Sequence, residues 1–151
     1  MGSKRLLFII VAIVVAMICV GTIGVRSFVQ SVYRERSCEW ANIDNIEMHA
    51  RIDIPSNTDC DCNFDTSANV KTAVFTLGED VNFREYIASN KLKKVISAEN
   101  LQYSDFVAFE DYKGKNITGL YYRSDNNYDS GYHLTLDTIE GKLWISIKYK
   151  R

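Results

Sequence analysis

One proline, eight glycines and no repeated tract in 151 residues leave little material for a long disordered linker or a solenoid. Short catalytic signatures are missing as well. No G-x-S-x-G, G-x-x-x-x-G-K-[ST], H-E-x-x-H or glycine-rich dinucleotide turn occurs, so the sequence gives no sign of a nucleophile elbow, a phosphate loop or a zinc-protease helix. Basic charge is scarce in the larger part of the chain. Residues 1–30 contain Lys4, Arg5 and Arg26 and no acid, a charge of +3, which leaves 15 basic and 19 acidic residues in 31–151, a net of −4. Nucleic-acid affinity comes largely from neutralising phosphates, and an acidic region without a basic stripe argues against a nucleic-acid partner.

What the sequence does have is one long apolar run. Leu6 to Val25 reads LLFIIVAIVVAMICVGTIGV, without a charge, Asn, Gln or Pro. Twenty residues of helix cover ~30 Å, the thickness of a bilayer's hydrocarbon core. A core helix apolar all round is a poor alternative next to the flanking Lys4, Arg5 and Arg26. A cleaved signal peptide is the stronger competitor. Its apolar region usually spans about 7 to 15 residues, and here the small residues Thr22 and Gly24 come only at the far end. The expected organisation is a cytoplasmic N-terminus over 1–5, a transmembrane helix over 6–25 meeting the lipid bilayer, a juxtamembrane stalk over 26–45 and an extracytoplasmic domain over 46–151. Basic residues on the two sides of the run nearly cancel, so the charge rule does not decide, and the inside N-terminus rests on how early the apolar run sits and on the cysteines.

Cys38, Cys60 and Cys62 lie beyond the apolar run. A disulfide from Cys38 to Cys60 or to Cys62 suits an oxidising compartment, and its loop of twenty-odd residues would contribute roughly 3 kcal/mol. A metal site drawing on these cysteines and His49 is the other reading. Cys-x-Cys is closer than zinc-knuckle spacing and no second pair exists, so neither metal nor cofactor is expected.

Periodicity outlines the domain. Met48, Ala50, Ile52 and Ile54 alternate with Glu47, His49, Arg51 and Asp53, which predicts a strand ended by Pro55. Ser56 to Ala68 is rich in Asp, Asn, Ser and Thr and predicts a loop. Val70 to Leu77 predicts a strand with Ala73, Phe75 and Leu77 on one side and Lys71 opposite. A helix follows, capped by Asp80 and Asn90, with Phe83, Tyr86 and Ile87 inward against the sheet. Leu92 to Leu101 has no clear period, a short helix being one reading, and Phe106 to Phe109 predicts a strand. Ile117 to Arg123, Tyr132 to Asp137 and Leu143 to Tyr149 form three further strand-like runs with turn-rich joins. The expected fold class is α+β: a transmembrane helix, then a small antiparallel sheet packed against one main helix.

Nothing in these elements assembles a catalytic group. His49 and His133 fall on the polar sides of their strands, and His133 stands about 13 Å from Asp137 at ~3.3 Å per residue. Glu110 and Asp111 read as solvated acids, and Asn116-Ile117-Thr118 as a glycosylation acceptor of a kind chance often produces. Tyrosine is in excess. Tyr121, Tyr122, Tyr128 and Tyr132 cluster along one hairpin and are the candidate binding residues, since tyrosine is favoured at protein interfaces. The expectation is therefore a non-enzymatic, membrane-tethered interaction module with an unidentified protein partner, of the bacterial-envelope accessory kind. An immunity or inhibitor protein against a basic partner is the alternative, and a small hydrolase or metal-binding protein stands behind both.

Overall fold

A computed structural model of the chain describes residues 2–33, 37–97, 117–126, 128 and 130–150. The expected strand at Phe106 to Phe109, Glu110-Asp111 and the acceptor Asn116 lie outside them. The chain divides into two units, Met1–Tyr33 and Arg34–Arg151. The first is a single helix, α1 (Gly2–Tyr33). Within it Phe8–Val29 is a 22-residue apolar segment, long enough to cross a membrane, and none of it is buried against protein. The apolar stretch thus ends four residues beyond the predicted boundary.

The second unit contains α2 (Trp40–Ala50), β1 (Asn57–Asp65), β2 (Val70–Leu77), α3 (Phe83–Ser89), β3 (Lys93–Lys94), β4 (Leu120–Asn126), β5 (Ser130–Asp137) and β6 (Lys142–Tyr149). The strands form one six-stranded antiparallel sheet in the order β1-β2-β6-β5-β4-β3. Together with the helices packed against it, this makes an α+β fold. Directly paired residues share a face, so Phe75, Leu143 and Leu136 form one row and Ala73, Ile145 and Leu134 the next. These six are at most 1% exposed and are the centre of the core. α2 lies on this face, against β5 and β6.

Several expectations need correction. Of the segment predicted as a strand, Glu47 to Ile54, the first four residues are the end of α2 and the rest is neither helix nor strand, while the predicted stalk contains the beginning of α2. The buried residues of α2 are Asn42, Asn45, Ile46, His49 and Ala50, an i, i+3, i+4, i+7, i+8 stripe that defines a helix face. Three of the five are polar, which hides the stripe from a hydrophobicity count. The helix stops at Arg51, which adopts a left-handed φ of 52°, while the Glu47 side chain accepts a bond from Ile54 N–H at 2.6 Å.

The predicted loop at Ser56 to Ala68 is mostly β1, paired with β2 along its length. Only Cys62 and Phe64 of that strand are buried, which is what an edge strand with one solvated face requires. Its turn into β2 is held by Asp65 Oδ1, which accepts from Ser67 and Ala68. Lys71 belongs to the same row as Ala73, Phe75 and Leu77, because a strand's side chains repeat every two residues, and it is 1% exposed. The helix after β2 exists, but Asn82 caps it by accepting from Glu85 N–H at 3.2 Å. Asp80 instead accepts from Ser56 Oγ at 2.8 Å. Phe83 and Ile87 are half-buried, and α3 has no buried residue; the main helix of the fold is α2. Residues 93–94 form a two-residue strand where a short helix was one reading.

The meander agrees with the sequence. β4, β5 and β6 overlap the three predicted runs, and the β5–β6 turn is fixed by Asp137 Oδ1, which accepts from Ile139 and Glu140 N–H at 2.7 and 3.0 Å. Gly141 follows at φ 65°, a left-handed position that glycine takes without strain.

Candidate functional site

Cys38 is bonded to Cys62, with Cα atoms 5.5 Å apart and a sequence separation of 24. This joins the chain entering α2 to the buried side of β1. Cys60, the other proposed partner, is a free thiol. Burial raises its pKa, and the neighbouring carboxylates of Asp59 and Asp61 raise it further, so thiolate chemistry is suppressed there. Cys19 is also free, on the exposed surface of α1.

The four candidate tyrosines are not gathered into one surface. Tyr121 pairs with Leu136 and Tyr122 with Thr135, so as strand neighbours they point to opposite faces; both are half-buried. Tyr132 is 2% exposed in the core, with the Arg123 guanidinium 5.3 Å from its ring centre. Tyr128, in the β4–β5 turn, is 93% exposed and is the one the fold leaves fully open.

The structure shows a buried polar seam under α2 that the sequence reading missed. Asn42 donates to Ser37 O and accepts from Lys71 Nζ. Asn45 Oδ1 accepts from the Tyr149 hydroxyl at 2.5 Å. His49 Nδ1 lies 3.1 Å from Ser130 Oγ, and its ring meets Tyr149 edge-on at 5.0 Å. At the end of the helix Arg123 donates to Ala50 O and Arg51 O at 2.7 Å, and to Asn90 O at 2.6 Å. A cation suits the partly negative carbonyl end of a helix. The spacing of Asn42, Asn45 and His49 is the signal that could have revealed the seam. Both histidines, expected on solvated strand faces, are buried instead.

His133 lies on the opposite face of the sheet, paired with Ser146. Its Nε2 is 3.2 Å from Thr135 Oγ1 and its ring stacks with Tyr122 at 6.2 Å. Burial pushes its pKa down to about 4, so the ring is neutral near pH 7. Ser146 Oγ is buried and has no hydrogen-bond partner among the described residues. Asp137 is committed to its turn.

The surface of β1 has a different character. Asp59, Asp61 and Asp65 are exposed on this edge strand. Asp59 Oδ1 accepts from Cys60 N–H at 2.9 Å and Asn63 Oδ1 from Phe64 N–H at 2.8 Å. Among the described residues no group of three or more His, Cys, Asp or Glu could hold a metal ion. No family model, curated protein or solved structure matches this chain.

Proposed function

We propose that the chain is a single-pass, membrane-anchored interaction module of the bacterial-envelope accessory kind, with its N-terminus inside and its α+β domain outside the cytoplasm, acting by binding and not by catalysis. The observation that carries this reading is the 22-residue apolar segment Phe8–Val29, none of it buried against protein. Lipid is the medium that removes such a surface from water. The Cys38–Cys62 bond favours the outside orientation, because disulfides persist in oxidising compartments. Tyr128, with half-exposed Tyr121 and Tyr122 nearby in sequence, supplies the tyrosines a protein partner would meet.

A second reading, an immunity or inhibitor protein for a basic partner, draws on exposed Asp59, Asp61 and Asp65 along β1. A small hydrolase or metal-binding role draws on no comparable feature. Carbonate extraction followed by protease treatment of intact cells tests the leading reading. The full-length chain should stay in the membrane fraction and its domain should be cut from outside. Soluble protein beginning near Val25, or a domain protected until the cells are lysed, overturns it. Capture from detergent extract then separates the two binding readings: loss of the partner on Tyr128→Ala supports the first, and loss on Asp61→Asn the second.

A further inference from the structure

The buried stripe of α2 leaves its other face uncovered. Trp40, Asp44 and Met48 are its exposed positions, within about 80° of one another at 100° per residue, and exposed Arg51 follows at the helix end. Trp40 is 76% exposed and Met48 72%. These two large apolar side chains project from the same helix face about two turns apart, with Asp44 between them. Asp44 and Arg51 between them cancel in charge, so the face as a whole is neutral.

Chain length limits what this face can meet. Trp40 follows Tyr33, the last residue of α1, by seven positions, and Val29, the last residue of the apolar segment, by eleven. Seven residues fully extended reach about 25 Å, while the headgroup layer on each side of the hydrocarbon core is about 5–8 Å thick. With α1 in the bilayer, the tether keeps the headgroups within reach of Trp40 at a high effective concentration of lipid. The connecting segment carries Arg34 and Arg36 but also Glu35 and Glu39, so it is neutral overall and the attraction to lipid rests on the apolar side chains of α2. Tryptophan itself favours the headgroup level, where an apolar ring and a polar N–H are both accommodated.

We infer that the outward face of α2, through Trp40 and Met48, seats on the headgroup layer of the bilayer that α1 enters. The occupant is a lipid surface. This rests on the anchor reading above and adds a second membrane contact to it, one that restrains the domain instead of leaving it free on its tether.

The test uses the full chain in vesicles of phosphatidylcholine and phosphatidylglycerol, with or without bromine on the acyl chains near the headgroups. The two tryptophans make it specific: Trp144 is 1% exposed and serves as an internal reference. At an insertion depth of about 5–10 Å, bromolipid should remove about half or more of the Trp40 emission, the component that is absent from Trp40→Phe. Met48→Asp should reduce that quenching while the chain stays in the vesicles. If carbonate strips the chain from the vesicles, the anchor reading fails and this inference with it. If the chain is retained and bromolipid quenches it no more than it quenches Trp40→Phe, the anchor stands and the α2 contact is overturned. Undiminished access of aqueous acrylamide to Trp40 on the vesicles overturns it equally.

Discussion

Under α2 the sheet buries Phe75, Leu134, Ile145 and their neighbours together with polar groups that bond between elements, whereas on its opposite face His133 meets Thr135 on its own strand and the Tyr122 ring on β4. The contrast separates two uses of buried polarity. Lys71 to Asn42, Tyr149 to Asn45, Ser130 to His49 and Arg123 to the carbonyl end of α2 each fix α2 at one point along its length. Such bonds contribute about 0.5–1.5 kcal/mol net, but a slipped helix would strand several buried groups at ~1–3 kcal/mol apiece. They therefore select one docking of α2 more than they add to stability. The Thr135–His133 contact joins residues two apart on a single strand.

The comparison can be broken most severely at the apolar row beneath α2. Phe75→Ala should cost about 3–5 kcal/mol, read as the shift in urea midpoint of the detergent-solubilised chain; a loss under about 1 kcal/mol would mean that α2 does not close this core. Next is the covalent tie on the same side. Cys38→Ser should lower stability by roughly 3 kcal/mol through the entropy of the opened loop, and non-reduced peptide mapping of the wild type should recover the Cys38–Cys62 pair with Cys60 free.

The opposite face should reveal itself through acid. His133 titrates at about 4 when folded, against 6.5 for the free side chain, so between these values the unfolded chain binds a proton that the native chain refuses. Stability from this group is complete above pH 6.5 and is lost as pH falls toward 4, by at most roughly 3 kcal/mol. His133→Gln should flatten that part of the stability profile; an unchanged slope would place the acid sensitivity elsewhere. The smallest effect belongs to Ser146. Because its hydroxyl has no partner among the described residues, Ser146→Ala should change stability by less than about 1 kcal/mol, and a loss of ~2 kcal/mol or more would show that the hydroxyl holds a bond after all.

These two faces were not equally legible in the sequence. β2 and β6 could be read from alternation because Ala73, Phe75 and Leu77, and likewise Leu143, Ile145 and Ile147, carry the core row in apolar side chains. α2 could not, because Asn42, Asn45 and His49 are buried by virtue of partners far along the chain, such as Tyr149, 104 residues from Asn45. Apolar Met48 and Trp40 meanwhile point outward and dilute the helical period, while Ala50, Ile52 and Ile54 simulate a strand. β1 was hidden by composition: Asp59, Asp61 and Asp65 resemble a loop until pairing with β2 and the inward Cys62 and Phe64 are known. Of the candidate site, the cysteines were legible because oxidation depends on compartment and spacing. The tyrosines were less so, since a strand sends Tyr121 and Tyr122 to opposite faces and a central position puts Tyr132 in the core.

The bonds that Asp59 and Asn63 make to the N–H groups of the residues following them have a consequence for copies of the chain crowded at high local concentration. An open strand of nine residues is a template for recruiting another chain edge to edge, the first step toward a fibril. Here two donors along that edge are already occupied by their own neighbours, and the row of aspartates repels an identical edge approaching it. At the other end of the described sheet the terminal strand is only two residues long, too short to template much. The carboxylates that disguise β1 as a loop thus serve as protection against polymerisation, at the cost of a strand that depends on β2 and the Cys38 bond to stay in place.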